Sequence, residues 1–417
     1  MSATAQLSEL EDEYQALGAL GLKLDLTRGK PSAAQLDLSN ELLDLPGSAD
    51  YRDAAGTDLR NYGGTDGILE LREIFAELLG IPVGQLLALG NASLSIMHDT
   101  MVHALLHGVA GPTLSGAEEP WRDVPGIAFL CPVPGYDRHF SVCEALGIRM
   151  IPVPLIGDRL DLDTVRSLVA GDPSIRGMWC VPLYANPTGS SFSAEEVEAL
   201  VSMETAAPDF RLYWDNAYAV HHLTDDEPAA ADVLGLAARA GNPHRPFVFA
   251  STSKITHPGS GVAFFAGSPE NIAWYRKHTA IQTIGPDKVN QLRHVRLLKS
   301  AEGVREHMRA HRAIAAPRFD AALEILEARL TGVATWSSPK GGYFISLEVP
   351  DGHAAAAIAL AAAIGVAITP AGSAFPYRDD PRDSNIRLAP TFPTLEDVAT
   401  ATNALATCVL LAVARSK

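Results

Sequence analysis

Phe247-Val248-Phe249-Ala250-Ser251-Thr252-Ser253-Lys254 is the stretch that decides how the rest of the chain is read. Three large apolar residues run into small hydroxylated ones and then a single lysine, the pattern of a buried strand that ends by presenting an amine. An amine in a partly dry pocket loses some of its preference for the charged form, which makes it a candidate nucleophile or Schiff-base former. Taken alone, the stretch fits an ordinary surface lysine after a strand better, because lysines at strand ends are common. The question is whether the flanking sequence supplies what a reactive lysine needs.

Outward from that stretch, short apolar runs recur at Ile127 to Leu130, Arg149 to Val153, Gly177 to Pro182, Arg211 to Trp214 and Val262 to Ala266. Helix-like stretches separate or flank them at Ile68 to Leu79, Ser93 to Gly108, Asp137 to Leu146, Ala194 to Ala206 and Ala230 to Ala240. Continuously apolar strands alternating with helices predict an α/β architecture, a mostly parallel sheet covered on both faces. In such sheets ligands sit at the carboxyl ends of the strands. Further on, Val289 to Leu330 reads as a long helical region broken or kinked near Pro317. Strands at Val333 to Trp336, Tyr343 to Glu348 and Val366 to Thr369, with helices at Ala354 to Ile364 and Leu395 to Ala414, predict a smaller α+β domain. The amphipathic first segment, to about Leu22, completes it. The expected division is 1–60 as an N-terminal arm and part of the small domain, 61–300 as the large domain, and 301–417 as the rest of the small one.

Composition narrows the partners. The 417 residues carry 33 Lys+Arg against 49 Asp+Glu, a net charge of -16, which argues against nucleic acid and anionic membrane because both need a basic face. Cys131, Cys143, Cys180 and Cys408 form no CxxC pair and lie mostly in apolar runs, so they read as buried free thiols of a reducing compartment. The N-terminus has the acidic Glu9, Glu11, Asp12 and Glu13 where a signal peptide has a basic start, and Ala354 to Ile368 is shorter than a bilayer needs. A cytoplasmic protein is expected, with no metal site.

Strand ends deliver the chemistry. Gly177 to Pro182 leads into Tyr184-Ala185-Asn186-Pro187-Thr188-Gly189, a loop whose Asn-Pro bond suits a cis proline. Arg211 to Trp214 ends in Asp215-Asn216-Ala217-Tyr218, a carboxylate and then a phenol. Leu89-Gly90-Asn91-Ala92-Ser93 opens a helix whose free amides suit a phosphate. Singly, Asp215 also reads as a helix cap, Tyr218 as a packed aromatic, Asn186-Pro187 as a turn and His139 as a structural histidine. Their ordered recurrence at successive strand ends carries the functional reading.

The set resembles the fold type I aminotransferases that depend on pyridoxal 5'-phosphate (PLP), in chain order over nearly the whole length. The resemblance implies a large PLP-binding domain with Lys254 as the Schiff-base lysine that also shuttles the substrate proton. It implies Asp215 facing the pyridine nitrogen, and Asn186 and Tyr218 on the cofactor's 3' oxygen. It also implies Tyr136 of Pro134-Gly135-Tyr136 stacked on the ring, with His139 supporting the aspartate. Ala92, Ser93, Ser251 and Ser253 would hold the phosphate. Arg387, in Ser384-Asn385-Ile386-Arg387-Leu388, matches the family's arginine for the substrate α-carboxylate; a domain-surface ion pair is its plainer reading. Gly29, in Gly29-Lys30-Pro31, resembles the glycine that closes over that carboxylate. Tyr62, in Asn61-Tyr62-Gly63-Gly64, matches the tyrosine that reaches a neighbouring subunit's phosphate, which implies a homodimer with shared active sites. One departure stands out. Most relatives carry an arginine about eight residues beyond the lysine to clamp the phosphate, and Ile255 to Val262 contains none.

Gly135 to Phe140, Trp214 to Tyr218, Ser251 to Thr256 and Gly285-Pro286-Asp287-Lys288-Val289-Asn290-Gln291 together resemble a distinct bacterial branch of aspartate aminotransferases. The implied reaction is L-aspartate plus 2-oxoglutarate to oxaloacetate plus L-glutamate. A second carboxylate needs a second cation; Arg138 and Lys30 are the candidates, and Arg138 is favoured of the two, although a helix-start residue paired with a neighbouring acid describes it equally well. Other readings of the same fold are an aromatic or kynurenine-type aminotransferase, a lyase or a decarboxylase. A regulatory protein that keeps the fold without the chemistry is the reading of a different class.

Overall fold

The computed structural model describes residues 3–110 and 119–416. Its centre is an eight-stranded sheet, ordered Leu86–Ala88, Ala263–Ala266, Pro246–Ser251, Arg211–Asp215, Ile175–Cys180, Ala128–Val133, Arg149–Ile156 and Arg159–Leu160. The five strands from Pro246–Ser251 to Arg149–Ile156 in that order run parallel, and the outer pairings are antiparallel. The expected mostly parallel sheet is therefore present. Arg211–Asp215 and Ile175–Cys180 are buried throughout because both faces of the sheet are covered. One face packs Leu71, Phe75, Trp214 and Phe264; the other packs Met101, Phe129, Trp179 and Phe247.

A third core lies outside this sheet. Leu26, Leu326, Leu347, Leu388, Leu405 and Val409 pack together around a three-stranded antiparallel sheet of Thr335–Trp336, Ile345–Glu348 and Asn385–Leu388. The N-terminal segment joins it: Leu24–Asp25 pairs in parallel with Val366–Ala367, and the Ala3–Ala19 helix packs on Leu395–Arg415. Leu395–Arg415 is long and apolar enough to cross a bilayer by length and composition, but Val398, Ala401, Leu405 and Cys408 are spent inside this core.

Several elements depart from the sequence reading. The edge strand Leu86–Ala88 and the helices Leu162–Gly171 and Pro269–Thr279 have no counterpart in it. The Val289 to Leu330 region breaks at Lys299 and Ser300, where Lys299 takes a φ of 65° and Ser300 caps a new helix, and not at Pro317. Ala301–Leu330 runs through Pro317 as one helix, because burial of Val304, Ala315, Phe319 and Leu326 along it outweighs one missing N–H.

Behind the lysine stretch lies a buried polar knot. His294 Nδ1 donates to Asn290 O at 2.8 Å, and its Nε2 accepts from the hydroxyls of Thr256 at 2.9 Å and Thr252 at 3.2 Å. Burial pushes His294 down to about 4, and the same cause takes His311 to about 4. An unfolded chain protonates these rings near 6.5, so the folded state binds fewer protons between 6.5 and 4. The stabilisation is complete above pH 6.5 and is lost as pH falls towards 4. The thermal midpoint is expected to drop steadily from pH 7 to pH 4.5. His294→Gln should lower stability at pH 7.5 by about 1–3 kcal/mol and flatten that drop; a slope unchanged in the variant would show that His294 does not contribute.

Candidate active site

Asp215 ends its strand beside Phe249 of the next one, and five residues after Phe249 the chain presents Lys254. Both side chains line a cavity with Ser93, Tyr136, Asn186, Tyr218 and Ser251. Seven residues that the sequence spreads from 93 to 254 thus share one wall.

The Asp215 carboxylate is 3% exposed. His139 Nε2 donates to its Oδ2 at 3.0 Å, whereas Oδ1 is buried without a hydrogen-bond partner. A buried carboxylate oxygen left unpaired is costly, so the site is shaped for a donor that comes with a ligand. His139 is held in place from both sides, its ring stacked on Trp179 at 4.2 Å and met edge-on by Tyr136 at 4.9 Å. Burial lowers the Lys254 amine below the ordinary lysine value, and the Asp215 carboxylate pulls part of the way back. The ammonium end lies 4.9 Å from the Tyr218 ring centre. Two buried groups, His221 Nε2 and the Tyr343 hydroxyl, each donate to the Lys254 carbonyl at 3.3 Å and anchor its backbone. Burial, helped by the negative fields of its neighbours, holds the Tyr218 phenol well above its ordinary value and Tyr136 up to about 12, so both remain donors at neutral pH.

Asn186 is 4% exposed, in a loop whose Asn186–Pro187 bond is cis, as its sequence suited. That loop is pinned by Tyr184, which takes a φ of 53° while its hydroxyl bonds His222 Nδ1 at 2.8 Å. Arg387 arrives from the three-stranded sheet. It donates to Asp137 Oδ1 at 2.9 Å, Asn186 Oδ1 at 3.3 Å and Thr369 Oγ1 at 3.4 Å, and its Nε has no partner. The fork therefore already holds a carboxylate, that of Asp137, inside the site and not on the surface.

Arg387 opens onto a wider, solvent-open cavity that is lined by Gly29, Arg138, Phe344 and Thr369 and is continuous with Lys254 and Tyr136. Arg138 makes no hydrogen bond or ion pair among the described residues. Lys30 does not line this space: its ammonium lies 3.7 Å over the Phe392 ring. Arg28 and Arg378 do line it, although the sequence reading passed over both. Arg28 had a signal in its position beside Gly29; Arg378 had none, because the left-handed Tyr377–Arg378 turn (φ 57° and 60°) delivers it. Ala92 and Ser93 open the Ser93–His107 helix as expected, but only Ser93 lines the smaller cavity, Ala92 facing a separate one. Ser253 bonds Asn91 O at 3.4 Å. Val262 lines neither cavity, and its side chain has no polar atom to offer a phosphate. Tyr62 is 84% exposed and touches neither cavity.

A family model described as aspartate amino-transferase matches residues 1–417. The chain belongs to the aspartate aminotransferase family. It is 50% identical to an aspartate aminotransferase of Corynebacterium glutamicum over 97% of this chain and 93% of that protein. A solved aspartate transaminase structure from the same species superposes with a TM-score of 0.96, covering 99% of this chain and 97% of that one. At 22% identity, an α-aminoadipate aminotransferase of Thermus thermophilus, solved with N-(5'-phosphopyridoxyl)-L-leucine, shares the fold with a TM-score of 0.75 over 99% of this chain and 96% of that one. The chain is thus an aminotransferase of fold type I, in a family that depends on PLP.

Gly29 tests how tightly the wider cavity is built. A Cβ there would lie 2.4 Å from Phe344 Cζ, and the Phe344 ring backs Arg387 with 5.3 Å between guanidinium carbon and ring centre. Overpacking of this kind costs about 1–3 kcal/mol. Gly29→Ala is therefore expected to raise KM for the amino acid by roughly tenfold while the cofactor absorbance is retained; an unchanged KM would place Gly29 outside the substrate's reach.

Proposed function

We propose that this aminotransferase converts L-aspartate and 2-oxoglutarate to oxaloacetate and L-glutamate on PLP held in the smaller cavity. The observation that carries the cofactor assignment is Asp215: one oxygen fixed by His139, the other buried and unpaired beside Lys254. A protonated ring nitrogen would complete it. Asn186 and Tyr218 would bond the ring's oxygen, Tyr136 would cover a face, and Ser93, Ser251, Ser253 and the amides at Ala92–Ser93 would hold the phosphate. PLP supplies an electron sink for the carbanion that forms at the substrate's Cα.

The chain's own residues do the rest. Arg387 grips the α-carboxylate with its planar fork, replacing or sharing the Asp137 contact it makes now. Asn186, bonded to the same guanidinium, keeps the fork oriented. Lys254, its amine shifted towards the neutral form by burial, would take the proton from Cα and deliver it to the cofactor's C4′, two atoms away across the nitrogen. Gly29 and Phe344 exclude water from the carboxylate end. For the second carboxylate Arg138 is the favoured cation, since it lines the wider cavity with its guanidinium uncommitted; Arg28 is the neighbour that shares the task, and Lys30 remains the weaker candidate. With buried free thiols at all four cysteines, the enzyme suits a reducing cytoplasm.

The deciding experiment is a half-reaction: aspartate added to the purified enzyme should convert the cofactor to its pyridoxamine form. Failure with aspartate but success with aromatic amino acids would transfer the assignment to the aromatic class. Lys254→Ala should abolish turnover, and full activity in it would leave the enzymatic role without its centre. Losing charge-assisted hydrogen bonds worth about 1.5–3 kcal/mol, Arg387→Gln should raise KM by roughly 10- to 100-fold for every amino acid. Arg138→Gln should do so for aspartate and glutamate only; an equal effect on alanine would remove Arg138 from side-chain recognition.

A homodimer follows from the same reading. Tyr62 projects at 84% exposure, and Ile281 and Ile284 are exposed at 90% and 63%. Lys288 steadies the Tyr62 turn by donating to Asn61 O at 2.8 Å and to Gly63 O. Tyr62 would cross to the partner's phosphate and add a neutral hydroxyl donor there, offsetting part of what the missing arginine in Ile255 to Val262 would supply. Sedimentation should give twice the chain mass, and Tyr62→Phe should loosen PLP several-fold; a monomer with full activity would refute the shared site.

A further inference from the structure

The Ser93–His107 helix touches the catalytic cavity at its first turn, and at its last it meets something else. His103 and His107 stand four residues apart, so they share one face. His278 comes from the end of Pro269–Thr279. One ligand nitrogen from each of the three rings lies within 4.8 Å of the others. His107 and His278 stack at 4.4 Å with 9° between their planes, and His103 stacks on His278 at 5.2 Å. Among the described residues none of these side chains makes a hydrogen bond or ion pair, and His103 Nε2 is buried without any partner. The framework around them is firm: Trp274 Nε1 donates to Gly108 O at 3.0 Å, and its ring meets His103 and His278 edge-on.

We propose that His103, His107 and His278 form a binding site for a divalent cation that favours imidazole, of the zinc class. Three imidazoles from two helices are the donor set such ions select, and a fourth position stays open to water. Nitrogens bound at about 2.0–2.1 Å around a tetrahedral ion stand about 3.4 Å apart. Ring rotations that close the present separations by roughly an ångström, well within rotamer freedom, complete the set. Asp99, one turn before His103, adds negative charge on the same helix, although Gln282 Nε2 already bonds it at 3.0 Å. Lys277 opposes it from beside His278.

The site lies apart from catalysis. Ten residues separate Ser93 from His103, about 15 Å along a helix. The ion would tie the carboxyl end of Ser93–His107 to Pro269–Thr279, bracing from behind the helix whose opening turn lines the cofactor cavity. Nothing in the reaction requires it, so turnover and metal binding can be read separately.

Titration of the holoenzyme with Zn²⁺ by calorimetry tests this, with Co²⁺ absorption reporting the ligand geometry. The expected result is one ion per chain, visible Co²⁺ bands of a tetrahedral nitrogen-rich site, and a higher thermal midpoint with metal. His107→Asn and His278→Asn should each weaken binding at least tenfold without changing transaminase turnover. His107 is exposed, so its variant should fold normally and decides the matter even if His278→Asn does not. No saturable binding, or equal affinity in His107→Asn, would overturn the proposal.

Discussion

The structure turns on a carboxylate buried at the end of an apolar strand. Asp215 follows Leu212, Tyr213 and Trp214 into the core, where ionised oxygens are expensive unless paired. His139 meets one oxygen, and stacking on Trp179 fixes the histidine, which in turn depends on the indole's bond to Cys143 Sγ at 3.2 Å. The second oxygen is left open towards the cavity. A chain of ordinary packing contacts thus ends in one unsatisfied acceptor, the observation on which the proposed cofactor site rests.

Lys254 and Arg387 depend on the same frame from opposite sides. The strand pairing that sets Asp215 beside Phe249 also brings Lys254 to the cavity mouth, while His221 and Tyr343 hold its backbone. Tyr343 comes from the chain around the three-stranded sheet, as Arg387 does, so that sheet supports the lysine as well as presenting Arg387 to the wider cavity. The Arg387–Asp137 pair ties the small sheet to the helix that carries His139. In the proposed reaction, substrate binding and the closeness of the two sheets become one electrostatic problem, because the guanidinium that Asp137 now holds is the one an incoming carboxylate would share.

Much of the site is legible in the sequence because it sits on short, strongly apolar strands. Asp215, Lys254 and Asn186 each follow such a run within a few residues, and local hydrophobic pattern is what sequence reports best. Elements without that pattern escape it. Leu86–Ala88 is only three residues long, and Pro269–Thr279 carries apolar residues mainly where Ile272, Trp274 and Tyr275 dock. Proline misleads at Pro317, since a local penalty loses to burial along thirty residues of helix. The histidine cluster illustrates the limit most clearly: His103 and His107 show their spacing in the sequence, but His278 joins them only through the docking of two helices.

By itself the sequence determined the α/β sheet, the order in which carboxylate, phenol and lysine leave it, and the absence of an arginine at the phosphate end. Those properties are local, written in runs of a few residues each. Only the tertiary structure decided that Asp137 pairs with one nitrogen of Arg387, that Lys30 lies on Phe392 instead of in the cavity, and that Arg28 and Arg378 line it. Each depends on which distant side chain competes for a charge, and that competition is settled by packing between segments hundreds of residues apart.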